Sequence, residues 1–272
     1  MSGYLWNLNA SQQAALGQFR KAVSDVRRAS DTDAYLLRWL RARDFDVTKA
    51  KKMYCDHLQW RKENGADDIL HTYEIPEILK ENFPGYFLNP CKDGRPMWIM
   101  PCGVNVNAML KALNPEVIKR HGIYLLEYMA SVCRNSSQKV GREIHTHYAV
   151  ADLDKVVRGH IYSWHVFKTA AALVRMVEDN YPECLEKVIV INAPSFYSIL
   201  WKYARMILSD RTADKFEVYG KDDWKKRLLE IADADSLPAC WGGNMVGPNG
   251  DPRCRHKTCS SLTTRMARPW LT

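Results

Sequence analysis

The sequence predicts an α/β protein in which a small helical subdomain precedes a layered region with a mostly parallel or mixed sheet. In residues 1–65, apolar positions recur at spacings of three and four, which is the helical period. From residue 84 onward, short apolar segments alternate with helical stretches of ten residues or more. Strands that alternate with helices are the pattern of an α/β layer structure.

Three helices are expected in the N-terminal part. One apolar face of the first helix is formed by Leu16, Phe19, Val23 and Val26. Its predicted N-cap is Ser11. The second helix should begin near Asp33, and the third should run from about Thr48 to the stop signal at Gly65. These three helices predict a small bundle.

Strands and further helices are expected to follow one another beyond residue 84. The predicted strands are Tyr86–Leu88, Met97–Pro101, His147–Leu153, Val188–Asn192 and Phe216–Tyr219. The predicted helices cover about 115–137, 156–180, 195–208 and 222–232. The tail after Gly247 should be irregular.

The composition is that of a globular chain without a membrane span. The 272 residues are 46% hydrophobic and 26% charged, which excludes disordered, collagen-like and disulfide-framework proteins. The longest uncharged stretch, Val188 to Trp201, has 14 residues, whereas a transmembrane helix needs about 20. The N-terminus lacks a signal-peptide pattern, and the eight cysteines form no CxxC pair, so we expect a cytoplasmic protein with reduced thiols.

Half of the net charge of +8 lies in the C-terminal tail. The charged residues of this tail are Arg253, Arg255, Lys257, Arg265 and Arg268, against Asp251. Because the body of the chain has no basic stripe interleaved with aromatic residues, we expect no nucleic-acid partner. A solvated basic tail could instead contact an anionic membrane.

The common catalytic and nucleotide-binding motifs are absent, since the sequence contains no GxGxxG, GxxxxGK[ST], GxSxG or HExxH. We therefore expect no enzymatic activity, no cofactor and no metal. One alternative from another class remains: His145 and His147 are predicted to share a strand face, with Asp152 farther along. This alternative is a metal-dependent enzyme built on these three residues.

The helix predicted at 195–208 has an unusual surface, with two apolar stripes and one narrow polar line. The stripes are Phe196, Ile199, Leu200, Tyr203 and Ile207, and Tyr197, Trp201, Ala204 and Leu208; the polar line is Ser198, Lys202, Arg205 and Ser209. A helix that is apolar nearly all round is commonly buried inside a domain. The alternative is a lid with one face toward a cavity and the other toward a membrane, where Tyr197 and Trp201 would suit the interface.

A set of motifs in a fixed order identifies a family resemblance. These motifs are Leu36-Leu-Arg-Trp-Leu-Arg-Ala-Arg43, Asp93-Gly-Arg-Pro96, Tyr181-Pro-Glu183, Asn192-Ala-Pro194, Trp201, Thr212-x-x-Lys215, Leu237-Pro238 and Trp241-Gly-Gly243. Over about residues 8–257 the chain resembles the CRAL-TRIO lipid-transfer proteins. The resemblance is to the subgroup that contains yeast phosphatidylinositol/phosphatidylcholine transfer protein and animal supernatant protein factor.

The resemblance implies three regions and a lipid site. They are a helical N-terminal subdomain over 1–75, a lipid-binding domain over 76–246 and a basic irregular tail over 247–272. The sheet would floor an apolar cavity, and the helix at 195–208 would be its gate, which favours the lid over the buried helix. The head-group site of phosphatidylinositol-binding relatives is matched here by Arg43, Glu183, Thr212 and Lys215. Arg43 and Lys215 can donate charge-assisted hydrogen bonds to a phosphodiester, and Glu183 and Thr212 can bond to inositol hydroxyls.

Gate and cavity residues are expected from apolar character and placement. They are Phe196, Tyr197, Ile199, Leu200, Trp201, Ile207, Leu208, Trp98, Tyr124, Leu125, Met129 and Val150. The chain also departs from its relatives. His147 and Ala149 replace hydroxyl residues of phosphatidylcholine carriers, which argues against choline-lipid binding. The gate ends in Arg205-Met206-Ile207-Leu208 without the usual proline, so a longer or stiffer helix is expected. No GOLD domain is expected within this chain.

The leading hypothesis is a non-enzymatic monomer that binds phosphatidylinositol and exchanges it between membranes, through transient peripheral contact. One alternative is a carrier of another hydrophobic molecule, such as tocopherol, retinaldehyde or squalene. Another is an adaptor that presents bound phosphoinositide to a lipid kinase.

Overall fold

The computed structural model describes residues 3–82, 85–88, 90–103, 111–158, 163–221 and 223–254. The helices of this part are α1 (Ala10–Ala22), α2 (Asp33–Arg41), α3 (Val47–Asn64), α4 (Ile69–Thr72), α5 (Glu77–Asn82), α6 (Pro115–Val140), α7 (Trp164–Asn180), α8 (Tyr197–Arg205), α9 (Asp210–Ala213) and α10 (Trp224–Ile231). The strands are β1 (Tyr86–Leu88), β2 (Met97–Pro101), β3 (His147–Asp152), β4 (Leu185–Ile191) and β5 (Phe216–Val218).

The N-terminal bundle forms as predicted, with one corrected helix start. The N-cap of α1 is Asn9 and not Ser11. The Asn9 side chain accepts a hydrogen bond from the Gln12 amide, and the Gln12 side chain accepts one from the Asn9 amide. Helix α3 ends at Gly65, whose φ of 58° is the left-handed conformation that favours glycine. The apolar faces of the three helices share one core, which contains Leu16, Phe19, Leu36, Trp39, Leu40 and Tyr54.

A single five-stranded sheet follows, in the order β1-β2-β3-β4-β5. Strands β1 and β2 are antiparallel, and every other neighbouring pair is parallel. The prediction of a mixed sheet is therefore confirmed. Strand β4 begins at Leu185, three residues before the predicted start, since its first residues pair with the start of β3.

Alternation along the strands gives the sheet two different apolar faces. Ile99, Val150 and Ile189 lie side by side on one face and pack against α10 in a closed core. On the opposite face, one row crosses four strands, namely Trp98, Ala149, Val188 and Phe216. These two rows are one residue apart in register, so neighbouring residues of a strand serve different layers.

A buried polar cluster joins the helical bundle to the sheet region. The guanidinium of Arg61 on α3 pairs with Glu127 on α6 at 2.6 Å, and both side chains are almost fully buried. The hydroxyl of Tyr181, just after α7, donates to the same carboxylate at 2.7 Å. Arg38 of α2 donates to the carbonyl of Pro182 at 2.9 Å. These bonds hold the segment 181–183 against the N-terminal helices.

The predicted gate helix is shorter than expected. Helix α8 ends at Arg205, and the amides of Ile207 and Leu208 both donate to the carbonyl of Ala204. Without a proline, the helix still stops, because Ser209 caps the next helix and is bonded to Glu178 of α7. The expectation of a longer gate helix is wrong for this reason.

Two other predicted segments, the helix at 156–180 and the C-terminal tail, lie partly outside the residues that the structure describes. Helix α7 starts at Trp164 instead of 156, and residues 159–162 lie outside the described residues, as does the tail from 255 onward. Among the described helices, none is long and apolar enough to cross a membrane.

Candidate functional site

A large cavity lies between the open face of the sheet and the helices α6 and α7. Its volume is about 720 Å³, within the range of roughly 300–1,000 Å³ that is usual for ligand sites. The sheet contributes the row of Trp98, Ala149, Val188 and Phe216, and the helices contribute apolar side chains such as Leu125, Met129, Ile118, Leu173 and Val177. The predicted apolar cavity above the sheet is therefore present.

The predicted lining is only partly correct. Trp98, Leu125, Met129 and Leu208 line the cavity. Val150 does not, because its position in the strand points it into the closed core on the other side of the sheet. Tyr124 does not either, because its ring packs against Tyr73 and Tyr128 in the core beside α6.

The other predicted lining residues all belong to the gate segment. Phe196, Tyr197, Ile199, Leu200, Trp201 and Ile207 are not among the residues that line the cavity. Helix α8 lies beside the cavity and touches its wall, since the rings of Trp201 and Phe216 are 5.0 Å apart. The segment that follows α8 closes the cavity directly, through Leu208, Ser209 and Thr212.

Helix α8 is a surface helix. None of its residues is buried, so the interpretation as a helix inside the domain is wrong. Ile199 is 39% exposed and Tyr203 46%, and Met206, just beyond the helix, is 68% exposed. A helix with one apolar side against the cavity wall and another apolar side in solvent fits a lid.

One buried carboxylate stands at the polar end of the cavity. The side chain of Glu183 is 4% exposed and pairs with Arg41 at 2.8 Å, Arg211 at 3.3 Å and Lys215 at 3.4 Å. Burial alone would raise the pKa of Glu183, but these cations outweigh it and hold the pKa below its ordinary value. Glu183 also has a φ of 56°, a left-handed conformation that is strained for a residue with a side chain.

All four residues predicted for the head-group site line this cavity. Arg43, Glu183, Thr212 and Lys215 are brought together from the segment just after α2, the turn after α7 and the α9–β5 region. The hydroxyl of Thr212 donates to Glu178 at 2.8 Å, and Arg43 donates to the carbonyl of Ala42 at 2.9 Å.

Two further cations belong to the same cluster and were not predicted. Arg41 is the nearest partner of Glu183, and Arg211 links Glu183 to Asp44 on the other side. Each lies next to a predicted position, two residues before Arg43 or one before Thr212. A count of cations around the motif residues could have indicated them, but their pairing depends on the tertiary structure.

His145, His147 and Asp152, the residues of the alternative metal site, do not form a set of metal ligands. In the part of the chain that the structure describes, no group of three or more His, Cys, Asp or Glu side chains could hold a metal ion. His145 precedes β3 and lies 3.5 Å from Glu143. The carboxylate of Asp152 accepts bonds from Asn192 at 2.7 Å and Trp241 at 2.9 Å, which ties the strand ends to the C-terminal segment.

The third residue of that alternative, His147, faces the cavity. It is buried, and burial, together with the charges of Arg38 and Lys215, lowers its pKa to about 4. Its imidazole is therefore neutral at pH 7.

Comparison with known proteins gives a consistent family assignment. The model of the CRAL/TRIO domain matches residues 80–243, and the model of the CRAL/TRIO, N-terminal domain matches residues 8–56. The crystal structure of Sfh5 is similar with a TM-score of 0.71 at 16% identity, over 94% of this chain and 96% of that chain. This likeness shows the same fold.

Two curated insect proteins are also similar. Protein real-time of Aedes aegypti is 30% identical over 249 residues, which are 89% of this chain and 38% of that protein. Protein real-time of Drosophila pseudoobscura pseudoobscura is 31% identical over 244 residues, 88% of this chain and 36% of that protein. The chain thus spans little more than a third of the length of these relatives.

Proposed function

The chain belongs to the CRAL/TRIO family, and from this premise we propose that it binds phosphatidylinositol and exchanges it between membranes. Family membership and the apolar cavity together support the binding of a lipid or another hydrophobic ligand. The observation that favours phosphatidylinositol is the cationic cluster around Glu183 at one end of that cavity. Proteins of this family are in general lipid-binding carriers and not enzymes.

The charge of the cluster suits an anionic head group. Four cations, Arg41, Arg43, Arg211 and Lys215, stand near the acidic side chains of Glu183, Glu178 and Asp44, which leaves an excess of one positive charge. A phosphodiester would balance this excess through charge-assisted hydrogen bonds. The inositol hydroxyls would then bond to Glu183 and Thr212. The hydroxyl of Thr212 would give up its bond to Glu178 and bond to the inositol ring instead.

Exchange of such a lipid must take place on a membrane. Each buried methylene is worth about 0.8 kcal/mol, so bringing two chains of about 16 carbons into water would cost on the order of 20 kcal/mol. We therefore propose that the lipid enters while the lid is in contact with the bilayer, and that the lid closes before release.

An exposed aromatic surface adjoins the lid and would make this contact. Trp164, at the start of α7, is 68% exposed and stacks on Phe167 at 5.5 Å, which in turn lies 6.3 Å from Tyr203 of α8. Lys168 lies over the Trp164 ring at 5.3 Å. Aromatic rings beside lysines are typical of membrane interfaces.

Mass spectrometry of lipid extracted from the purified protein tests the ligand, and a vesicle assay tests the site. We expect phosphatidylinositol in the extract, and we expect Glu183→Ala with Lys215→Ala to abolish transfer of fluorescent phosphatidylinositol between vesicles. A matched control removes the exposed pair Lys52 and Asp56 of α3, which carries the same charges and is not part of the cavity lining. Extracts without phosphoinositide, together with normal transfer by the double variant, would reject this function.

The apolar character of most of the lining favours a second candidate, a carrier of one hydrophobic molecule such as tocopherol, retinaldehyde or squalene. The same mass spectrometry separates it from the first. Presentation of phosphoinositide to a lipid kinase would be distinguished from bulk transfer by kinase stimulation assays with the head-group variants.

A further inference from the structure

His147 is a buried polar side chain of the cavity lining that the proposed head-group site does not use. His147 is the first residue of β3, and its backbone amide donates to the carbonyl of Cys184 at 3.0 Å. The next residue, Tyr148, points to the opposite face of the sheet, where its hydroxyl donates to Asp93 at 3.0 Å. Alternation therefore directs His147 to the cavity face, together with Ala149.

The imidazole of His147 faces the cavity and has no hydrogen bond to the described residues. The residue as a whole is only 5% exposed, but its ring nitrogens are not fully enclosed by protein and open onto the cavity. The contrast is His57, equally buried, whose two nitrogens lie 3.3 Å from Asn180 and 3.4 Å from Tyr35. A ring nitrogen that opens onto a cavity and has no protein partner can bond to water or to a ligand group. An unpaired imidazole in a ligand cavity indicates a partner on the ligand.

The position of His147 determines which part of a ligand it can meet. Its backbone is bonded to the residue that directly follows Glu183, so it lies at the edge of the charged cluster, where the apolar lining begins. Lys215 is close enough to influence its charge. If the anionic head group of a ligand lies at Glu183 and Lys215, the first uncharged oxygens below the head group would lie next to His147.

We propose that His147 is a ligand-contacting residue that donates a hydrogen bond to an uncharged oxygen of the bound molecule. In a diacyl phospholipid this oxygen is an ester carbonyl, and in a single-chain or ring ligand it is a hydroxyl. Both are oxygen acceptors for the ring N–H, and a hydroxyl can also donate to the second nitrogen. The residue would select ligands that have such an oxygen below the head group. This inference rests on the proposed function only in that the cavity holds a ligand.

A ligand-side comparison tests the bond directly. Wild-type protein should bind dioleoyl-phosphatidylinositol about three- to tenfold more tightly than the diether analogue, which lacks the ester carbonyls, because one hydrogen bond is worth about this ratio. His147→Phe should bind both lipids equally, at the weaker level. His147→Gln, which keeps a donor, should recover part of the preference. Equal binding of ester and ether by the wild type would overturn the ester assignment. The same measurement with α-tocopherol and an analogue that lacks the hydroxyl oxygen tests the hydroxyl as the acceptor. Absence of a preference in both pairs would overturn the inference.

A control and a second readout separate ligand contact from a structural role. His145→Phe makes the same change two residues earlier, outside the cavity lining, and should leave the preference intact. His147→Phe should not lower the melting temperature of the delipidated protein, because the imidazole makes no hydrogen bond to the described residues that the change would break. A lower melting temperature with equal loss for ester and ether would show a structural role.

A wrong choice of ligand can be distinguished from a wrong role for His147. If neither lipid pair binds the wild type, phosphatidylinositol and tocopherol are rejected as ligands. The 15N signals of the His147 ring would then be compared between protein as purified and delipidated protein. A shift on ligand loading supports the contact, and unchanged signals would overturn it.

Discussion

The hydroxyl of Tyr4 accepts a hydrogen bond at 3.1 Å from the guanidinium of Arg41, and the Tyr4 ring lies 4.0 Å from the same guanidinium. That guanidinium also binds Glu183 at 2.8 Å. The N-terminal segment thus holds one cation of the cluster in place on the carboxylate. Because Arg41 is committed on both sides and Arg211 bridges Glu183 and Asp44, Arg43 and Lys215 are the cations of the cluster that can turn toward a ligand.

The first prediction concerns this contact. Tyr4→Ala removes a hydrogen bond and a cation–π contact, so we expect a loss of about 1–2 kcal/mol in the free energy of unfolding and weaker phosphatidylinositol binding. Urea denaturation and vesicle binding measure the two effects. Leu5→Ala, at an exposed neighbour, is the control. Unchanged stability in Tyr4→Ala would show that Arg41 does not depend on the N-terminal segment.

The second prediction concerns the charge of Glu183. Glu183→Gln leaves Arg41 and Lys215 buried without their carboxylate, and breaking a buried pair in this way costs about 3–5 kcal/mol. Asp56→Asn breaks the exposed pair with Lys52 and should have little effect. Chemical denaturation of both variants checks the difference. Similar losses in the two variants would contradict the assignment of a buried ionised Glu183.

The third prediction concerns the bonds between Glu178 of α7 and the segment that follows α8. One oxygen of Glu178 accepts from the amide of Ser209 at 3.0 Å, the hydroxyl of Ser209 at 2.7 Å and the hydroxyl of Thr212 at 2.8 Å. Glu178→Ala should therefore raise amide hydrogen exchange in 206–213 and speed lipid exchange. Asp179→Ala, on the exposed neighbour, should do neither. Normal protection of 206–213 in Glu178→Ala would refute this role.

The fourth prediction concerns the exposed apolar surface at the end of α8, where Met206 lies. Met206→Asp places a charge on a side chain that we expect to enter the bilayer, so binding to anionic vesicles should fall roughly tenfold. Val246→Asp makes the same kind of change at an exposed apolar residue elsewhere. Sedimentation with phosphatidylinositol-containing vesicles measures the effect. Equal losses in both variants would mean that charge alone, and not this surface, determines binding.

The fifth prediction concerns acid stability. Burial, and then the charge of Arg61, lowers the pKa of His57 to about 3, and burial lowers that of His121 to about 4, against 6.5 for a free histidine. Between these values the unfolded chain binds protons that the folded chain does not, so stability is complete above pH 6.5 and is lost as the pH falls. By pH 5 each histidine should cost about 2 kcal/mol.

Denaturation at pH 7 and pH 5 tests this dependence. His57→Gln should reduce the difference between the two values, whereas His71→Gln, at an exposed histidine, should leave it unchanged. An unaltered difference in His57→Gln would assign the acid sensitivity to other groups.

Patterns along the chain were sufficient for the order of the main helices and strands, the helical bundle and the mixed sheet, and the motifs of the family resemblance pointed to four residues that line the cavity. These features depend on local periodicity and on motifs, which are properties of neighbouring residues. Helix ends were less accurate. The Asn9 cap of α1 is made by local bonds with Gln12, whereas the bond of Ser209 to Glu178 of α7 exists only in the folded chain.

The lining of the cavity and the partners of Glu183 were decided by the tertiary structure. Val150 and Val188 are both apolar strand residues, yet one lies in the closed core and the other in the cavity, because facing depends on strand register. Arg41 reaches Glu183 only because the N-terminal bundle packs against the turn after α7, 142 positions away in sequence. Apolar character can be recognised one residue at a time, but facing and pairing arise from the relative placement of distant elements.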